Sequence, residues 1–117
     1  MASTKSFKDL IVWQKARDLA VIIYKLTEGF PQSELYGLTN QMRRAAISIS
    51  SNIAEGYHRF HDKEKQQFLA IAFGSGSEIE SQIEVAKKLF PKLNYQEAES
   101  LLLEIMKILN TFLTKNK

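Results

Sequence analysis

The chain has 117 residues, 44% of them hydrophobic and 25% charged, with two prolines; this is the make-up of one ordinary globular domain spanning residues 1–117, and it excludes disordered and collagen-like classes. There is no cysteine, which rules out disulfides, thiolate catalysis and cysteine-ligated zinc or iron–sulfur centres. The net charge of +3, with a pI near 9.2, is mild for one copy, but the fields of several assembled copies add and attract polyanions.

The first predicted helix runs from about Phe7 to Glu28. Ser6 stands at the N-cap with Asp9 three residues on, a variant of the capping box, and Gly29 followed by Pro31 is a stop signal. Val12, Ala16, Leu19, Ala20, Ile23 and Leu26 recur at helical spacing and form one face. Leu10, Ile11, Val21 and Ile22 project elsewhere.

The second predicted helix runs from about Glu34 to Glu55, with Ser33 as its cap, Glu34 in its first turn and Gly56 at its end. Leu38, Met42, Ala45, Ile49 and Ile53 make its core face, while Tyr36, Ile47 and Ala54 lie nearly opposite. A helix that is apolar on two sides is normally buried on both. Two helices with that pattern predict assembly with further copies through Leu10, Ile11, Val21, Ile22, Tyr36, Arg43, Ile47 and Ala54. Scattered surface residues are the alternative.

The third predicted helix spans about Lys63 to Phe90, with Asp62 as N-cap and Pro91 ending it. Its main stripe is Phe68, Ile71, Ala72, Ser75, Ile79, Ile83, Ala86 and Phe90. Gly74 and Gly76 each cost about 1 kcal/mol relative to alanine in a helix interior. Close helix packing, together with the small residues Ala45, Ala46, Ser48, Ser50 and Ser51 of the second helix, would offset that. The run Gly74–Ser77 lacks the preceding strand and the lysine of a phosphate loop.

The fourth predicted helix begins after Asn94, capped by it with Glu97 completing a box, and reaches about Thr114. Ala98, Leu101, Leu102, Ile105, Leu109, Phe112 and Leu113 form one broad stripe. Short connections make successive helices antiparallel neighbours, so the predicted fold is all-α, an antiparallel up-and-down four-helix bundle. No apolar run approaches the roughly 18 residues of a membrane span. The start, Met1 to Phe7, lacks the apolar segment of a signal peptide. With no cysteine in use, a cytoplasmic location is predicted.

The candidates for chemistry are few. His58 and His61 stand three apart near Glu55, Asp62 and Glu64, but Gly56 breaks the helix between them and Glu55, and a solvated turn is the simpler reading. Glu55 and the serines show no spacing that places a base beside a nucleophile. No catalytic residue, metal or cofactor is therefore predicted. All four arginines, Arg17, Arg43, Arg44 and Arg59, lie in the first 59 residues, and most of the acidic residues come later. Arg59, Lys63 and Lys65 flank the turn between the second and third helices, with Tyr57 and Phe60 interleaved. Such a patch can neutralise phosphates and stack bases, although Asp62 and Glu64 dilute it. Arg17, Arg44, Arg59, Lys63 and Lys65 are the predicted nucleic-acid contacts.

The joint pattern is specific. Trp13-x-x-Ala16, Ile23-Tyr24-x-x-Thr27, Phe30-Pro31-x-x-Glu34-x-Tyr36-Gly37-Leu38, Gln41-x-Arg43-Arg44-Ala45-Ala46, Asn52-Ile53-Ala54-Glu55-Gly56, Phe68-Leu69-x-Ile71-Ala72 and Gly74-Ser75-x-x-Glu78-x-Glu80 resemble the four-helix-bundle proteins encoded within intervening sequences of bacterial 23S ribosomal RNA genes. The match covers roughly residues 7–90. The resemblance implies a left-handed bundle assembled as a homopentamer. It also implies similarity to the accessory proteins of diversity-generating retroelements, which bind nucleic acid and a reverse transcriptase. The expectation is a non-catalytic, oligomeric RNA-binding protein; the alternative is a module that docks a protein such as a reverse transcriptase.

Overall fold

The punctuation of this chain produces four helices and two short 3-10 turns, seen in a computed structural model that describes residues 5–115. A 3-10 turn at Phe7–Asp9 leads into α1 at Ile11–Thr27; a second at Gln32–Glu34 precedes α2 at Leu38–Tyr57; α3 is Asp62–Leu89 and α4 is Gln96–Thr114. Among the described residues there is no strand.

The helix starts differ from the predicted ones, and local hydrogen bonds explain why. Ser6 Oγ accepts from the Lys8 amide at 3.1 Å and Asp9 Oδ2 from the Lys5 amide at 3.0 Å. These caps close only the 3-10 turn, because Leu10 is extended at φ −73° and ψ 126°. The break lets Phe7 fold back edge-on against Trp13, with ring centroids 5.0 Å apart. The α2 start is displaced from Glu34 to Leu38, and the capping expected of Ser33 falls to Glu34, whose Oε1 accepts from the Leu38 amide at 3.2 Å. Asp62 is the first residue of α3 rather than its cap; there its charge faces the positive end of the helix dipole. Tyr95, not Asn94, is the N-cap of α4, although Asn94 Oδ1 accepts from the Gln96 amide at 3.0 Å just ahead of it.

The core is the apolar faces of all four helices turned inward. Leu19, Ile23, Met42, Ile49, Ile53, Ile79, Ile83, Ile105 and Leu109 are the largest fully buried side chains. Two expected core positions are not inside: Ile71 is 51% exposed and Phe112 is 39% exposed. Leu10 and Ile22, expected to point away, pack against the rim of the core instead. The reason is geometric. Each helix has two neighbours, so its buried arc widens towards both. On α3 that arc takes in Gly76, Gln82 and, at its edge, Leu69, and leaves Ile71 outside.

The pairs in contact run in opposite directions along neighbouring helices. Gly56 meets Phe68, and Ser75 Oγ lies 2.8 Å from Ser48 Oγ, so α2 and α3 are antiparallel. Lys87 binds Glu99 at 2.7 Å while Gln66 Nε2 donates to the Phe112 carbonyl at 3.0 Å, so α3 and α4 are too. Tyr95 secures that corner: its buried hydroxyl lies 2.9 Å from the Phe90 carbonyl and 3.1 Å from that of Ala86. Burial pushes the Tyr95 phenol above its ordinary value of 10.0. Its folded pKa exceeds the unfolded one, so its contribution is complete below about pH 10 and is lost as pH rises through the folded value. Tyr95→Phe is expected to cost about 1 kcal/mol at neutral pH and to weaken the alkaline fall in stability. Urea titrations at neutral pH and above pH 10 test both; an unchanged alkaline fall overturns the assignment to Tyr95.

The two α3 glycines separate in role. A Cβ at Gly76 would collide with Met106 Sδ and sit 3.6 Å from Leu102 Cδ1, so this glycine admits α4. A Cβ at Gly74 would meet nothing within 4 Å, and close packing within the chain does not offset its cost. Gly74→Ala is expected to stabilise the isolated chain by about 1 kcal/mol. Chemical denaturation measures it, and a loss of stability would show that the Gly74 face is covered.

Candidate nucleic-acid interface

The end of the bundle that carries the α2–α3 turn is built by helix ends meeting the 3-10 turn at Phe7–Asp9. Phe7 contacts Trp13 and also His58, with ring centroids 5.7 Å apart, and His58 contacts Tyr57 at 5.5 Å. The Arg17 guanidinium lies 5.4 Å from the Trp13 ring centroid. A continuous row of rings thus joins α1 to the α2–α3 turn, where Tyr57, His58, Arg59, Phe60 and Lys65 line an open cleft. The row depends on the Leu10 break, which the helical periodicity did not reveal.

Of the five predicted phosphate contacts, four lie on or beside this end and Arg44 stands apart on α2. Their commitments differ. Arg59 pairs with Glu55 at 2.7 Å and its guanidinium lies 4.7 Å from the Phe68 ring. Arg17 pairs with Asp18 at 3.0 Å. Lys65 Nζ donates to the Tyr57 carbonyl at 3.1 Å and reaches that of Gly56 at 3.5 Å, holding the C-terminus of α2 as a cation should. Lys63 and Arg44 are exposed. The exposed pairs of Arg17 and Arg59 are worth roughly 0–1 kcal/mol, so a phosphate can take either cation from its carboxylate. The structural use of Lys65 had one signal in the sequence: a lysine in the first turn of a helix that follows a small-residue helix end.

The eight predicted interface residues do not form one patch. Val21 and Ile22 line a groove between α1 and α4 with Asp18, Leu101 and Glu104. Leu10 lines an apolar cleft with Ile53, Gly56, Leu69 and Phe112. Arg43 is turned onto α1, donating to Thr27 Oγ1 at 2.9 Å and to the Tyr24 carbonyl at 3.3 Å, over the Tyr24 ring. Ile11 is exposed on α1, Tyr36 is 91% exposed before α2, and Ile47 is 45% exposed on the outer side of α2 beside half-buried Ala54.

Ser48, Asn52 and His58 bond the helices themselves. Asn52 Nδ2 donates to the Ser48 carbonyl at 2.8 Å and to its Oγ at 3.1 Å, which ties the Ser48–Ser75 contact to the helix. His58 Nδ1 donates to the Ala54 carbonyl at 3.0 Å. Among the described residues no three His, Asp or Glu side chains converge as a metal site. No helix among them is long and apolar enough to cross a membrane.

These features define a small all-α protein of four packed helices whose one end gathers aromatic rings and charged side chains of both signs. The family model described as 23S rRNA-intervening sequence protein matches residues 8–112, and the chain belongs to that family. A solved structure from Bacteroides thetaiotaomicron, described as a protein of unknown function from the S23 ribosomal protein family, superposes with a TM-score of 0.75. It is 24% identical, and the match covers 89% of this chain and 99% of that one; at that identity the likeness speaks for the fold. No curated protein matches the chain.

Proposed function

We propose that this is a non-catalytic, oligomeric protein that binds structured RNA mainly through phosphates. The observation that carries the reading is the joining of Arg17, Arg59, Lys63 and the ring row at one end of the bundle, on a chain of net charge +3. In a ring such as a pentamer, equivalent ends add their fields, and a polyanion meets several copies at once. A ring is closed by contacts between two different faces of each copy, and the split of the apolar residues between the α1–α4 groove and the outer side of α2 suits that geometry. Nothing in the site reads base edges, so sequence preference should be low. The test is a titration with unrelated RNAs at several salt concentrations. Log K is expected to fall linearly with log salt, and absence of binding to RNA and DNA at low salt would defeat the proposal.

A second reading has its own support: Tyr36, Ile71, Val85, Leu89 and Leu103 are exposed apolar side chains. A protein-docking module, with a partner such as a reverse transcriptase, would use them. It predicts weak, salt-insensitive RNA binding and a discrete protein partner.

A further inference from the structure

We propose that the α2–α3 turn holds one unpaired RNA base stacked on the Phe60 ring, so that the protein prefers RNA with looped-out nucleotides to continuous duplex. The inference rests on the RNA-binding reading above and adds the form of RNA recognised.

Phe60 is 93% exposed at the tip of the turn, where a ring gains nothing for folding. Three of its neighbours are held. His58 is tied to Ala54, Arg59 to Glu55 and Phe68, and Lys65 to the end of α2. The turn therefore offers its ring without first having to order itself, which removes one cost of binding.

Beside the ring lies the cleft lined by Tyr57, His58, Arg59 and Lys65. Arg59 and Lys63 flank Phe60 in the sequence together with the histidines at 58 and 61 and the carboxylates Asp62 and Glu64. An apolar peptide would cover the ring but offer no anion to exposed Lys63 or to Arg59, whose pair with Glu55 is solvent-exposed. A nucleotide supplies both a flat face for the ring and a phosphate for a neighbouring cation. In a continuous duplex every base face is already stacked, so only a loop, bulge or single strand can use Phe60. Any base has a face to offer, so the preference is for an unpaired state and not for a sequence.

The test compares wild type, Phe60→Ala and Phe60→Trp on a hairpin RNA carrying 2-aminopurine in its loop and on a blunt duplex of similar length. Wild type is expected to favour the hairpin, with the probe's fluorescence quenched on binding. Phe60→Ala should lose about tenfold or more on the hairpin while keeping its duplex affinity and salt slope. Phe60→Trp should keep hairpin binding, and its new indole should be quenched. Equal losses on both RNAs, or none on the hairpin, would overturn this inference while leaving RNA binding intact. Loss of a captured protein partner with unchanged RNA affinity would overturn it in favour of protein docking. A wild type that binds neither RNA defeats the proposed function itself.

Discussion

Replacing Arg17, Arg59 and Lys63 together by glutamine is expected to lower RNA affinity about a hundred- to a thousandfold at roughly 0.05 M salt. Each lost phosphate contact removes about 0.7–0.9 from the slope of log K against log salt. Three contacts therefore flatten the slope by about 2–3, and since the electrostatic contribution fades towards roughly 1 M salt, the loss accumulates over the intervening decade or so. The loss should be similar for unrelated RNA sequences. Lys65 is left in place because it holds the carbonyls of Gly56 and Tyr57, and its removal would mix a folding effect with a binding one. Arg17 and Arg59 give up exposed ion pairs and their contacts with the Trp13 and Phe68 rings, none of which is a backbone hydrogen bond, so helix content should change little. Unchanged affinity in the triple variant would move the site elsewhere on the protein, Arg44 being the next cation to test.

Ile47→Asp is expected to dissociate the assembly to single chains of 13.4 kDa while circular dichroism stays helical. Within one chain Ile47 is 45% exposed, so a carboxylate there can remain hydrated and the fold should tolerate it. In an interface between copies the same carboxylate would lie unpaired in an apolar contact. Removing one partner of a buried charge pair costs about 3–5 kcal/mol, a fair scale for leaving a buried charge unpaired, and a ring repeats the penalty at every contact. Light scattering coupled to size exclusion decides between the outcomes. A wild type that already runs as a single chain at tens of micromolar would end the assembly proposal. An assembly unaffected by the substitution would leave Ile47 as an ordinary surface residue. RNA binding by the dissociated variant should be weaker, because the fields of neighbouring copies no longer add.

Much of the fold was legible because helices are specified locally. The 3.6-residue spacing of Val12, Ala16, Leu19 and Ile23, and of Met42, Ala45, Ile49 and Ile53, marks inward faces, and all eight are buried. Gly29, Gly56 and Pro91 bracket the helix ends within a few residues. Less of the candidate site was legible. A cation near a turn reads the same whether it stands out in solvent, as Lys63 does, or caps a helix, as Lys65 does. A serine reads the same whether it reacts or, like Ser75, bonds its counterpart on the next helix.

The sequence by itself determined the number of helices, their order and the inward faces, because backbone hydrogen bonding and side-chain periodicity act within a few residues of chain. It also determined the family, through motifs spread along the chain. Tertiary structure alone decided what depends on distant segments meeting. Glycine 76 faces α4 and Gly74 faces solvent, two residues apart on one helix. Ile71 falls outside the core because the buried arc of α3 is shared between α2 and α4. Arg43 is spent on the end of α1, and the Phe7–Trp13 pair meets His58 only because the chain breaks at Leu10. In each case the outcome is set by which neighbour occupies the space beside a residue, and that neighbour lies too far along the chain for periodicity to register.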